Sequence, residues 1–122
     1  MATIGNHMKF NVPKSHRDRV RTFFLDVLQS QPMPAPMPDL DLFVLDDGFV
    51  WGVFYCEDNE VLSEAEHLKG AWLEIKTKDV ESVRRRLVEF GVKQVNYIDK
   101  TRFYFHAPGG QVFRLAPEDG GL

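Results

Sequence analysis

Three side chains near the end of this sequence can do chemistry at neutral pH: Tyr104, His106 and, just past a Pro108-Gly109-Gly110 turn, Arg114. An imidazole titrates near neutrality and moves protons in either direction. A phenol both donates and accepts a hydrogen bond. A guanidinium is a permanent cation whose donor fork fits a carboxylate or a phosphate. Upstream, Trp72, Glu74 and Lys76 occupy alternate positions of one strand-like run, and His7, Lys9 and Asn11 alternate positions of another. Alternate residues of a strand share a face. The opposite parity in all these runs is apolar: Met8, Phe10, Val12, Leu73, Ile75, Phe103, Phe105, Phe113 and Leu115. That face belongs under helices. The other face then carries His7, Lys9, Asn11, Trp72, Glu74, Lys76, Arg102, Tyr104, His106 and Arg114. A binding face needs such residues, and a solvated sheet face has the same composition. His106 beside a turn, His16 and His67 read as surface histidines.

The elements that must position these residues repeat. Thr101 to Leu115 reads as strand, tight turn, strand, and Leu42 to Tyr55 has the same plan around Asp46-Asp47-Gly48. Each hairpin follows an amphipathic helix. The first is expected from Ser15 to Leu28, with Ser15 as N-cap, Asp18 in a short-armed capping box, and a stripe of Val20, Phe23, Phe24, Val27 and Leu28. The second is capped by Asp79, buries Val80, Val83, Leu87 and Phe90, and stops at Gly91. Strands are expected at His7 to Val12, Ala71 to Thr77 and Val92 to Tyr97. Proline at every second position in Gln31-Pro32-Met33-Pro34-Ala35-Pro36-Met37-Pro38 strips the donors from one edge, which suits an edge strand or an extended loop. The polar stretch Glu57 to Gly70 reads as a connector, with Ser63 and Glu66 capping a short turn, and 117–122 as a polar tail. Stripes and turns recur at an offset of roughly 60 to 65 residues, the mark of a duplicated module.

Composition narrows the function classes. At 122 residues the chain makes one domain, with modules at about 4–56 and 71–117 joined by 57–70. A net charge of −3 leaves no basic excess to displace counterions from a nucleic acid. The Arg84-Arg85-Arg86 run lies between Val83 and Leu87 and reads as a solvated helix face. One cysteine, Cys56, excludes an internal disulfide and suits a reducing, cytoplasmic setting. No apolar run approaches a membrane span and no signal peptide is visible. Met8 reads as a second candidate start, which puts His7 in a segment that need not be native. There is no Ser-His-Asp or Cys-His arrangement and no phosphate-cradling glycine loop.

Three stretches resemble the vicinal oxygen chelate superfamily of glyoxalase I, extradiol dioxygenases, and fosfomycin- and bleomycin-resistance proteins. They are Val20 to Leu28, then Trp72-Leu73-Glu74-Ile75-Lys76-Thr77-Lys78-Asp79-Val80-Glu81-Ser82-Val83 leading to Phe90-Gly91-Val92, and Ala107-Pro108-Gly109-Gly110-Gln111-Val112-Phe113-Arg114-Leu115. The resemblance implies an α+β fold of two tandem βαβββ modules forming an open, U-shaped sheet around a cleft. It implies a homodimer as well. Metal-dependent members place ligands at positions that correspond here to His7, Gly52, Trp72 and Arg114. Only His7 can ligate, and one ligand does not hold a catalytic metal. If the strands of Trp72 and Arg114 are neighbours, as the resemblance implies, Arg114 either pairs with Glu74 and stacks on Trp72 or turns its donor fork to a ligand.

These observations lead to an expected small-molecule binder, without cofactor or the usual metal, using Trp72, Glu74, Arg102, Tyr104, His106, Arg114, Lys9 and Asn11. Two enzyme readings stand beside it. One is a glyoxalase-like or dioxygenase-like enzyme whose divalent metal sits on a different set, His7 with His106 and Glu74. The other is a metal-free enzyme with Tyr104, His106 or Glu74 as acid or base.

Overall fold

The computed structural model describes residues 1–121, so Leu122 of the expected polar tail lies outside the described residues. The chain forms two compact units, Met1–Val61 and a second that begins at Leu62. The expected connector is therefore divided between them.

In the first unit β1 (His7–Pro13) runs parallel to β4 (Val50–Cys56), followed by β3 (Leu40–Val44) and the edge strand β2 (Gln31–Met33), both joined antiparallel. The proline-rich segment thus supplies an edge, as its alternating prolines require, but only over three residues. The helix that covers this sheet is composite. One 3-10 turn at Lys14–His16 leads into α1 (Arg17–Thr22) and ends in a π turn at Phe23–Val27. Ser15 is not its N-cap: Pro13 feeds the 3-10 turn directly, and no side chain caps either start. At the far end the Leu28 amide donates to the Phe23 carbonyl at 3.0 Å, and Ser30 donates both its amide and its hydroxyl to the Phe24 carbonyl. Gln29 takes the left-handed conformation (φ 58°) that this reversal needs.

Val20, Phe23, Phe24 and Val27 from the helix meet Val12, Phe43, Trp51, Val53 and Tyr55 from the sheet, all buried. Phe24 stacks on Phe43 with centroids 4.6 Å apart and leans on Trp51 at 5.8 Å. Each such side chain contributes about 1.5–3 kcal/mol by leaving water. At the rim, Asp41 accepts from Arg21 (2.8 Å), Arg17 (3.2 Å) and the Tyr55 hydroxyl (2.8 Å), tying the helix to β3.

The second unit repeats this plan. β5 (Trp72–Thr77) runs parallel to β8 (Val112–Pro117), then β7 (Phe103–His106) and β6 (Lys93–Val95) follow antiparallel. Between β5 and β6 lies α3 (Val80–Phe90), whose first turn is capped by Asp79 accepting from the Ser82 amide at 3.0 Å. Gly91 ends it in the left-handed region at φ 96°. Val83 and Leu87 face Phe103, Phe105, Phe113 and Leu115 in the core. Arg84 reaches back over the Phe103 ring at 5.3 Å, and Arg85 stays exposed. A short helix, α2 (Glu64–His67), precedes β5 and carries the expected Ser63–Glu66 capping box. Among the described residues no helix is long and apolar enough to cross a membrane.

Candidate functional site

The sheet register sets two rows of side chains across the non-helix face of the second unit. Glu74, Arg114 and Tyr104 are adjacent on β5, β8 and β7, and Trp72, Val112 and His106 form the neighbouring row. These positions were expected on an open face. They are instead largely buried: Arg114 is 6% exposed, Tyr104 2% and His106 8%. The cover comes in part from two segments of the same unit, the loop 96–102 and α2.

Arg114 is the centre of the first row. Its Nε donates to Glu74 Oε2 at 2.5 Å, and its guanidinium carbon lies 4.5 Å from the Trp72 ring centroid. Of the two arrangements open at the sequence level, the structure has the internal ion pair stacked on tryptophan. The remaining guanidinium contacts are long, with Nη1 at 3.4 Å from the Tyr104 hydroxyl and 3.8 Å from Asp99 Oδ2. The Tyr104 hydroxyl, then Glu74, hold the guanidinium above its already high ordinary value, against the opposing effect of burial. Tyr104 in turn donates to Asp99 at 3.2 Å. Thr101 donates to Asp99 through both hydroxyl and amide and keeps that carboxyl below its usual range. Tyr97 stacks on Tyr104 with centroids 4.4 Å apart, and the Trp72 indole N–H donates to the Tyr97 hydroxyl at 3.3 Å. Tyr97 and Asp99 complete the cluster from a loop. The strand expected over Val92 to Tyr97 stops at Val95, which leaves Tyr97 in the loop, and no periodicity marks Asp99 between it and the hairpin.

His106 heads the second row, and its burial overturns the surface reading. Nδ1 lies 2.7 Å from the Gly110 carbonyl, which can only accept, so Nδ1 carries a proton and Nε2 faces Glu64 Oε2 at 3.8 Å. Glu64 also pairs with Lys93 at 3.0 Å. His67, one turn further along α2, is half-buried, not solvated, and its Nε2 is buried without a partner. Burial, then the nearby His106, pushes its pKa down. It sits against Gly110, at φ 105°, where an added Cβ would come within 2.7 Å of His67 Cδ2. His16, in the first unit, is also half-buried rather than solvated. Arg102 stands outside both rows, half-buried, with Nη1 on the Thr101 carbonyl at 3.2 Å. Lys76 is exposed and reaches the Gly120 carbonyl at 3.1 Å.

The corresponding face of the first unit is different in kind. Lys9 donates to Asn11 at 2.7 Å, and Asn11 to the Glu60 carbonyl at 3.3 Å, so these two polar residues are engaged with each other and the backbone. His7 is exposed at the start of β1. Leu40, Leu42 and Phe54 share this face with Lys9 and Gly52 by register. Those apolar positions were not separated from the core set in the sequence, because Leu42 to Leu45 is apolar at consecutive positions and hides its parity. Gly52 is covered: a Cβ there would meet Leu42 Cδ2 at 3.3 Å and Leu40 Cδ1 at 3.6 Å.

The residues present do not fit the metal that the resemblance implies. Gly52 offers no donor and leucine methyls fill its space. The Trp72 N–H is donor-only and engaged, and Arg114 is a cation. Among the described residues no three His, Cys, Asp or Glu side chains come together to hold an ion. The alternative set also fails, since Glu74 is bound by Arg114 while His106 belongs to the other row and contacts Glu64.

No protein-family model matches the sequence, and no curated protein matches it. Solved structures do. A possible glyoxalase from Bacillus cereus is 17% identical, with TM-score 0.68 over 93% of this chain and 98% of that one. The fosfomycin resistance protein FosX from Mesorhizobium loti is 17% identical, with TM-score 0.72 over 100% and 95%. A mutant FosX from Listeria monocytogenes, complexed with Mn(II) and a dihydroxypropylphosphonic acid, is 13% identical, with TM-score 0.74 over 100% and 96%. The chain therefore shares the fold of these glyoxalase-like and fosfomycin resistance structures, with two βαβββ modules in succession, as its motifs indicated. A fold of this kind hosts many reactions, so function has to be argued from the site.

Proposed function

We propose that this protein binds a small molecule on the Trp72–Arg114–Tyr104 face of its second sheet, with Arg114 in the role that a metal ion plays in metal-dependent members. The carrying observation is a guanidinium only 6% exposed, oriented by Glu74 and Trp72, with its Nη1 contacts at 3.4 and 3.8 Å still long. A buried cation stacked on Trp72 and bonded to Tyr104 is pre-organised, so a ligand need not bear the cost of ordering it. Trp72, Tyr104 and Arg114 form the contact set, with Glu74 paired to the guanidinium in the free protein; His106 and Arg102 border it, and Lys9 and Asn11 belong to the other unit. The Mn(II) in the complex of the Listeria protein has no counterpart in this reading, because Gly52, Trp72 and Arg114 cannot ligate it. The two modules act as one domain, and the protein works as a cytoplasmic homodimer with no nucleic-acid partner and no membrane partner.

The test has two arms. Protein purified without chelator is assayed for metals, and a stoichiometric divalent ion lost on Arg114→Gln or Glu74→Gln would overturn the reading. A fragment screen followed on the Trp72 indole resonance is expected to give hits that Arg114→Gln abolishes. Light scattering tests the dimer, and a strictly monomeric mass contradicts it.

A second reading rests on His106, whose ring is fixed by the 2.7 Å contact to Gly110 and directs Nε2 at Glu64. That geometry suits a general base. Turnover that survives chelation and is lost in His106→Gln would favour it.

A further inference from the structure

We infer, building on the reading of Arg114 as the anchor, that Glu74 is an internal stand-in for the ligand's acid group, and that the ligand is a flat monocarboxylate which displaces Glu74 onto Lys76. The Glu74 side chain is 22% exposed and that of Arg114 7%, so the carboxylate is the more exposed partner, placed where an acid arriving from solvent would dock. The pairing uses Nε and one carboxylate oxygen, whereas the guanidinium fork prefers two parallel bonds. A carboxylate free to align with the fork replaces one bond by two.

Glu74 has somewhere to go. Its other oxygen, Oε1, lies 3.8 Å from Lys76 Nζ, two residues along the same strand and 45% exposed. A change of partner keeps the Glu74 charge compensated and avoids leaving a lone carboxylate in a partly buried site. Charge then selects the ligand. Arg114 lies within 4 Å of two carboxylates, Glu74 and Asp99. With Glu74 moved to Lys76, one incoming negative charge takes the place that Glu74 left. A dianion such as phosphate would put a second, uncompensated negative charge beside Asp99. The half-buried edges of Trp72 and Tyr97 give a flat body something to pack on.

Benzoate is the probe, titrated into the full-length protein and followed by the Trp72 indole resonance. Glu74→Gln, which keeps an amide oxygen for Arg114, should bind benzoate about tenfold more tightly than the parent. Lys76→Met, at an exposed position, removes the receiving cation while keeping the Arg114–Glu74 hydrogen bond, and should bind several-fold more weakly. In the Glu74→Gln background Lys76→Met should have no effect, because the two then no longer interact. Inorganic phosphate should compete with none of these. Equal benzoate affinity in Glu74→Gln and the parent overturns the displacement while leaving the Arg114 reading intact, and so does a Lys76→Met effect that persists without Glu74. Fragments of other classes at Trp72 with no benzoate binding overturn the ligand class. Benzoate binding retained in Arg114→Gln would sink the underlying reading itself.

Discussion

The two units share strand order, helix placement and core chemistry, yet their non-helix faces have gone in opposite directions. In the first, Leu40 and Leu42 close over Gly52, and the polar side chains Lys9 and Asn11 bond each other and the backbone. In the second, the matching face buries a guanidinium among Glu74, Tyr104, Asp99 and Trp72. The helix-facing halves are alike because both must bury an apolar stripe. The other halves are free of that constraint, and there the duplicated module carries two different surfaces. A position with no side chain was filled with methyl groups; a position given a cation was surrounded by acids and aromatic rings.

The largest test of this contrast is Arg114→Met. It leaves Glu74 and Asp99 without their shared cation, and should cost about 3 kcal/mol in urea denaturation. A loss below about 0.5 kcal/mol would make Arg114 equivalent to a surface ion pair and erase the difference between the faces.

Gly52→His puts a ligand-type side chain back at the filled position. The leucine methyls must move, and overpacking should cost about 2 kcal/mol. Titration with Mn(II) or Zn(II) should show no gain in affinity; a new site would mean that the first face is closed only by the missing side chain.

The smallest effect is expected at the rim of the first unit. Asp41→Asn weakens the pairs with Arg21 and Arg17 and should cost about 1 kcal/mol at pH 7. Burial works to raise the Asp41 pKa, but the bonds from Arg21, Tyr55 and Arg17 outweigh it and hold the group below its ordinary 3.8. A depressed carboxyl stabilises the fold above its unfolded pKa and loses that contribution as the pH falls through the folded value. The gap between parent and variant should therefore be full at neutral pH and narrow below about pH 4. A gap that widens in acid would show that the rim acts through packing instead.

Much of this architecture was legible in the sequence. Period-two alternation in Phe103 to His106 and Val112 to Leu115 separated the apolar, helix-facing parity from the other, although both are buried, and Asp79 and Gly91 marked both ends of α3. The first helix was placed within a residue at each end, though its start is not a capping box. Ser15 falls inside a 3-10 turn that Pro13, with its fixed φ, leads into directly. The site was legible only as a list of residues on one face. Tyr97 was expected at the end of a strand that stops at Val95, and Asp99 stayed hidden because loop residues have no period. His106 and His67 were misread because their burial depends on α2, the short helix that carries His67, docking beside the turn at Gly110 far away in sequence.

What the sequence determined by itself is the pair of modules, their parity, and the unsuitability of Gly52, Trp72 and Arg114 as metal ligands. Those follow from local spacing and side-chain chemistry. Only the tertiary structure decided that Arg114 faces Glu74 rather than open solvent, and that the 96–102 loop and α2 lie over the second face. Long-range register brings Glu74 and Arg114 together across forty positions of chain, and no local pattern encodes which segment will cover a sheet once it has formed.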